Sequence, residues 1–292
     1  MVIGSHTPGD YNRFKMMPGK KAFFGHDHKY LGTLAAAGDV ESGPGGLIER
    51  PVLEAYVERV LRDYDGIKDL SVVWDIGNGV VGVNIAEVLA RLPGRHVVLN
   101  EKVDGTFPAH HPDPTVAKNL EQLQAAVLAE KADLGIAFDG DGDRIGVIDG
   151  KGRILWGAQF LVFLARDVLK SKPGATIIAD VKASQVLFDE VRKAGGVPCM
   201  WKTGHSLIKT KMAETGSPLA GEMSGHVFFA DKFYGFDDAL YAAIRLLGIV
   251  SRSLQTLAEL RDGLPDAINT PELRFDVDEA RKFAIVGEVM AR

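Results

Sequence analysis

Two periods of apolar residues alternate along the chain. Short runs rich in Val and Ile are followed by stretches in which apolar positions return every three or four residues. The first pattern predicts strands, the second amphipathic helices, and their alternation predicts an α/β layered fold. The runs at 71–75, 96–100 and 133–138 read as strands, with helices at 79–92 and 115–129 between them. Residues 145–149 and 153–155 read as a hairpin turning on Asp149-Gly150. A second set follows: strand 176–180, helix 184–194, strand 197–201, helix 206–215, strands near 219 and at 227–229, then helix 237–250.

The ends carry less pattern. Residues 1–47 offer one helix at 27–37, too little to close a core alone. Residues 271–292 offer a strand at 272–277 and a helix at 278–291. The expected organisation is two consecutive α/β domains at 48–153 and 154–265, with mixed sheets flanked by helices. Partial terminal domains are expected at 1–47 and 266–292.

Composition narrows the function classes. A net charge of -5 offers no broad basic face for nucleic acid. The single cysteine, Cys199, excludes an intramolecular disulfide and suits a reducing, cytoplasmic setting. Residues 1–10 lack the apolar run of a signal peptide. The most apolar helical stretch, 239–250, contains Arg245 and is too short to span a bilayer, so no membrane association is expected.

The densest chemistry lies at 139–144, where an apolar strand runs into Asp139-Gly140-Asp141-Gly142-Asp143-Arg144. Three carboxylates at alternate positions, separated by glycines, can curl toward one point. Such a set repels itself unless a hard cation sits between its members, which suits Mg²⁺ or Ca²⁺. An EF-hand would need Gly at the sixth position and Glu at the twelfth, where this chain has Arg144 and Gly150. A solvated acidic turn remains the plain alternative, although Arg144 beside the cluster points to an anionic ligand shared with a metal.

Other candidates follow the predicted strands. Lys182 comes after the strand ending at Asp180, and Lys202 after the strand ending at Trp201. Thr203-Gly204-His205-Ser206 then opens a helix, with Thr203 the expected N-cap. Taken singly these lysines are ordinary surface charges, but their recurrence beyond strand ends fits an anionic ligand. Gly221-Glu222-Met223-Ser224-Gly225-His226 is either a simple turn or a loop presenting groups for sugar hydroxyls. Gly77-Asn78-Gly79-Val80-Val81-Gly82 matches a dinucleotide-binding fingerprint, with Glu101 near the ribose position. Asp75, two residues before its first glycine, would oppose a pyrophosphate, and a tight strand-to-helix turn is the preferred reading. Gly4-Ser5-His6-Thr7-Pro8 is either a terminal tail or a loop carrying a serine that needs activation.

Together these motifs resemble the α-D-phosphohexomutases, most closely the bacterial phosphomannomutase/phosphoglucomutase branch, over essentially the whole chain. In that resemblance Gly4–Pro8 with Lys15 is the phosphoserine loop, Asp139–Arg144 the Mg²⁺ loop and Gly221–His226 the sugar-binding loop. Thr7 departs from the usual asparagine. The family fold implies four domains, of which this chain would lack most of the first and nearly all of the fourth, leaving the chain itself impaired. The resemblance implies phosphate transfer between the 6- and 1-positions of mannose or glucose phosphate, through phosphorylated Ser5 and a hexose 1,6-bisphosphate. That bisphosphate would also serve as activator. Ser5 would join Asp139, Asp141 and Asp143 around the metal, with His6, Lys15 and Arg144 also catalytic. Lys182, Gly204, His205, Glu222, Ser224 and His226 would meet the hexose phosphate, in a protein monomeric at full length. The rivals are a metal-dependent phosphatase using Asp139 as nucleophile, a dinucleotide-binding protein and a non-catalytic sugar-phosphate binder.

Overall fold

The computed structural model describes residues 2–3, 13–14, 16, 18, 23–38, 40–265, 277–278 and 280–291. Ser5, His6, Lys15 and nearly all of the expected strand at 272–277 lie outside the described residues. The first elements are the paired strands β1 (Val2–Ile3) and β2 (Arg13–Phe14), then helices α1 (His26–Ala37) and α2 (Leu53–Leu61).

The first large sheet follows. It is built from β3 (Leu70–Asp75), β4 (Gly94–Leu99), β5 (Leu134–Phe138), β6 (Ile145–Asp149) and β7 (Ile154–Leu155), with α3 (Ile85–Leu89) and α4 (Glu121–Ala129) in the connections. Its order is β4-β3-β5-β6-β7, parallel across the first three strands and antiparallel beyond. Both faces of β3 are covered: Val72 and Trp74 enter the main core while Val73 packs with Leu120 and Leu123 beneath α4. This is the period-two rule with apolar residues on both sides, which is why the run reads as continuously hydrophobic.

The second sheet comes after α5 (Gly157–Ser171). Its members are β8 (Thr176–Asp180), β9 (Val197–Trp201), β10 (Leu219–Gly221) and β11 (Val227–Phe229), connected through α6 (Gln185–Lys193) and α7 (His205–Thr215). The order is β11-β10-β8-β9, with only β11 antiparallel. α8 (Ala239–Arg252), α9 (Leu257–Asp262) and α10 (Lys282–Met290) complete the chain. Both sheets are mixed and flanked by helices, as expected.

One core runs through both halves. Trp74 and Phe138 of the first sheet, Phe160 of α5, Phe229 of the second sheet and Tyr241 of α8 belong to the same buried cluster. α5 and α8 lie against both sheets and fill the space between them. Arg245 of α8 is buried in this region, and Asp231 receives its guanidinium through two 3.0 Å hydrogen bonds. Among the described residues no helix is long and apolar enough to cross a membrane.

Three helices escaped the periodicity reading: α2, α5 and α9. α5 carries an unbroken apolar run, Phe160–Ala165, and a short run of that kind does not by itself distinguish a helix from a buried strand. Most of its unburied polar residues, Arg166, Asp167, Lys170 and Ser171, gather in the second half. The expected helix at 79–92 is broken into a 3₁₀ turn at Val80–Val83 followed by α3. The expected helix at 115–129 likewise opens as a 3₁₀ turn, Ala117–Leu120.

Candidate active site

The strand ends decide where the chemistry collects. β5 ends at Phe138, and the chain then curls through Gly142, whose φ of +73° lies in the left-handed region that glycine adopts without strain. One carboxylate oxygen from each of Asp139, Asp141 and Asp143 lies within 4.8 Å of the others. Asp139 is fully buried; its Oδ1 accepts from the backbone N–H groups of Asp143 at 3.0 Å and Arg144 at 3.1 Å. Its Oδ2 accepts from Arg144 Nε at 3.1 Å. Burial, followed by the charges of Asp143 and Asp141, nevertheless holds the Asp139 carboxyl well above the usual range, against the pull of Arg144. An all-oxygen donor set with this surplus of negative charge fits a hard divalent cation.

Gly77–Gly82 does not form an open anion cradle. The Val80 N–H donates to the Gly140 carbonyl at 3.0 Å, and a Cβ on Gly79 would meet that same carbonyl at 2.9 Å. The backbone of the aspartate loop fills the place a pyrophosphate would need, so the dinucleotide reading fails on geometry. The turn serves to seat the aspartate loop.

The Gly221–His226 segment lies directly beside that loop. Arg144 and His226 form an antiparallel β-bridge, and the Ile145 N–H donates to the Gly225 carbonyl at 3.1 Å. Gly225, at φ +94°, is required here: a Cβ would sit 2.6 Å from the Ile145 carbonyl oxygen. His226 Nε2 lies 3.3 Å from Asp143, while its Nδ1 lies 2.9 Å from Glu222 and 2.9 Å from the Ser224 hydroxyl. Burial alone would lower the His226 pKa, but Asp143 and Glu222, aided by Asp237, push it up to about 10. The imidazole is therefore held as a cation. Burial raises the Glu222 carboxyl, but the bonds from His226 and the Gly204 N–H, with His205 nearby, bring it net below its usual value.

Gly204 donates its backbone N–H to Glu222 at 2.5 Å, and the His205 and His226 rings lie 6.2 Å apart. Gly204, His205, Glu222, Ser224 and His226 are thus brought together, and His226 joins them to the aspartate loop. Lys182 and Lys202 are exposed, Lys182 close enough to Asp180 to bias its charge. Thr203 corrects an expectation. It does not cap α7, which starts after Gly204 at φ +129° with no side-chain cap. Its hydroxyl instead donates to Asp180 Oδ2 at 3.0 Å.

Asp180 is the residue sequence reasoning passed over. Fully buried at the end of β8, it also accepts from the Met223 N–H at 3.2 Å and so ties the 203–206 turn to the 221–226 loop. Burial raises its pKa, with the Met223 and Thr203 bonds pulling the other way. An acid closing an apolar run was the available signal, and Asp75 at the end of β3 repeats it. Asp113 was missed as well; it lies 3.3 Å from Arg144 Nη1.

Two family models match: alpha/beta/alpha domain II of phosphoglucomutase/phosphomannomutase over residues 54–152, and alpha/beta/alpha domain III over residues 156–268. The chain belongs to this family. A phosphomannomutase/phosphoglucomutase of Pseudomonas aeruginosa is 44% identical over 286 residues, covering 98% of this chain and 62% of that protein. A phosphoglucomutase of Neisseria gonorrhoeae is 41% identical over 281 residues, covering 96% of this chain and 61% of that protein. A crystal structure of a phosphoglucomutase/phosphomannomutase family protein from Burkholderia thailandensis superposes with a TM-score of 0.89 at 46% identity, over 92% of this chain and 59% of that one. The chain therefore spans about three fifths of the length of these family members.

Proposed function

We propose that this chain forms the metal-binding and sugar-binding part of a phosphohexomutase, acting on mannose or glucose phosphate. The observation that carries the reading is the contact between Asp143 and His226, which sets a carboxylate cluster for a cation against a loop of hydroxyl-binding groups. A phosphoryl group bridging the two would meet both at once.

Asp139, Asp141 and Asp143 would hold the metal, best matched by Mg²⁺, with Ser5 as further ligand and phosphate carrier. When bound, the ion would polarise the phosphoryl oxygens and offset their charge. Arg144 adds a fixed positive charge beside the transferring group, and the family resemblance assigns Lys15 and His6 to the same chemistry. Glu222 is held by Gly204 and His226, and a carboxylate retains lone pairs for sugar hydroxyls beyond those two bonds. Ser224, His205 and Lys182 extend this side toward the hexose phosphate. Transfer breaks the Ser5 O–P bond and joins that phosphorus to a sugar hydroxyl oxygen, and the proton lost from the hydroxyl is balanced by one gained on the Ser5 oxygen. The reverse step moves the sugar's other phosphoryl group onto Ser5 and hands that proton back to the sugar oxygen it leaves. The hexose 1,6-bisphosphate between the two steps also primes Ser5.

The phosphatase alternative is poorly supported. Asp139, its nucleophile, is fully buried with both oxygens already accepting hydrogen bonds. The deciding experiment is incubation of a length-restored protein with labelled hexose 1,6-bisphosphate. Acid-stable label on Ser5 is expected, and hydroxylamine-labile label on Asp139 would replace the mutase reading with the phosphatase.

A further inference from the structure

Arg144 is held between two acids of opposite consequence. Its Nε faces Asp139 Oδ2 at 3.1 Å, inside the carboxylate cluster, and its Nη1 faces Asp113 Oδ1 at 3.3 Å, outside it. Both Arg144 and Asp113 are buried. Asp113 is not a passing contact. The same Oδ1 accepts from the Thr115 N–H at 3.0 Å and the Thr115 hydroxyl at 2.6 Å, its carbonyl accepts from Asn119 Nδ2 at 3.0 Å, and its own N–H donates to His111 at 2.8 Å.

The loop carrying Asp113 is fixed at a second point. His110 Nε2 lies 2.8 Å from Asp75 Oδ2 at the end of β3, and Asp75 Oδ1 accepts from Gly77 N–H at 3.0 Å and Asn100 Nδ2 at 2.9 Å. The loop is therefore pinned both to the sheet and to the guanidinium.

We propose that Asp113 is a positioning residue for Arg144: it draws one edge of the guanidinium away from the metal carboxylates. The inference rests on the metal reading of the preceding section. Without Asp113 the cationic edge turns toward Asp139 and Asp143, the latter already 4.0 Å from Nε, and competes there with the divalent ion. With Asp113 in place the arginine stands beside the metal rather than in its place. Asp113 touches neither substrate nor metal on this account and acts only through Arg144.

The test is a double-mutant cycle on Mn²⁺ affinity, measured by calorimetry on the 292-residue chain. Asp113→Asn keeps an acceptor for Thr115 and removes the charge. It should weaken Mn²⁺ binding about tenfold, in line with the loss of other outer-sphere partners. In an Arg144→Gln background the same substitution should change affinity by less than about twofold. Equal weakening in both backgrounds would mean a direct charge effect or a purely structural role, and would overturn the proposal. So would unchanged affinity in Asp113→Asn alone. A wild-type chain that binds no Mn²⁺ defeats the metal reading and this inference together, which separates that failure from the others. If the amide variant does not fold, Asp113→Ser, whose hydroxyl can still cap Thr115, carries the same cycle.

Discussion

His226 Nε2 sits 3.3 Å from Asp143 Oδ1, so a side chain following the second sheet's hairpin loop ends against the acid that closes the first sheet's loop. With Glu222 at 2.9 Å on the other ring nitrogen, the imidazole bridges two carboxylates. Both of its ring nitrogens are taken up by those acids, and their charge favours the imidazolium form.

Cation uptake should depend on pH. The Asp139 carboxyl is raised by burial and by its two acidic neighbours, so at low pH it binds a proton that a metal must displace. Mn²⁺ affinity is expected to fall as pH falls, with proton release visible as a buffer-dependent enthalpy in calorimetry. Asp141→Asn should weaken binding at least tenfold, since even outer-sphere partners of metal ligands are worth roughly 10–100-fold.

The backbone seam between the loops can be tested at one atom. Gly225→Ala drives a Cβ to 2.6 Å from the Ile145 carbonyl at a φ of +94°. The expected loss is about 3 kcal/mol or more in urea unfolding. Gly174→Ala, at φ +76° with nothing within 4 Å, should cost only the left-handed backbone term of about 1–2 kcal/mol. Equal losses would show that the Ile145 contact is soft.

Asp180→Ala should loosen two loops together. It leaves the half-buried Met223 N–H and the Thr203 hydroxyl without their acceptor. A stability loss of about 2–3 kcal/mol is expected, with faster amide exchange at Met223 and around Gly204. Protection unchanged at both places would remove Asp180 from the site's framework.

A pH-dependent stability term belongs to Asp238. Burial pushes its pKa to about 6 from 3.8, with Asp237 adding to the rise and the Tyr241 N–H and Tyr56 hydroxyl opposing it. The folded value is the higher, so this stability is present below about pH 4 and is lost as pH rises through about 6. Relative to Asp238→Asn, which still caps α8, the wild-type chain should lose on the order of 2–3 kcal/mol across that window. Urea unfolding at several pH values would show it; parallel curves for the two proteins would remove Asp238 as the source.

What could be read from sequence was local. The strands announced themselves because β3, β5 and β8 are buried on both faces, and the aspartate loop because its three carboxylates fall within the five residues 139–143. α5 was missed because its apolar run at 160–165 is as short and continuous as that of a buried strand. The 79–92 helix splits at Asn84, whose φ of -122° departs from helical geometry, and the Val80 N–H that opens it is met by the carbonyl of Gly140, a residue far along the chain. Asp113 and Asp180 act through Arg144, Thr203 and Met223, partners brought near by sheet pairing rather than by spacing. Thr203 shows the same limit. Its type suits an N-cap, but a buried carboxylate competed for the hydroxyl and won.

The Ala239 N–H, in the first turn of α8, donates to the carbonyl of Gly142 at 3.1 Å, in the middle of the aspartate loop. Cutting the gene between residues 152 and 156 would separate that donor from its acceptor, along with His226 from Asp143 and Gly225 from Ile145. Two co-expressed fragments would then each carry half of an unfinished site, and their reassociation would be the event that creates it. Pairing of His226 with Asp143 in such a mixture would follow fragment concentration, turning an intramolecular seam into a reporter of assembly.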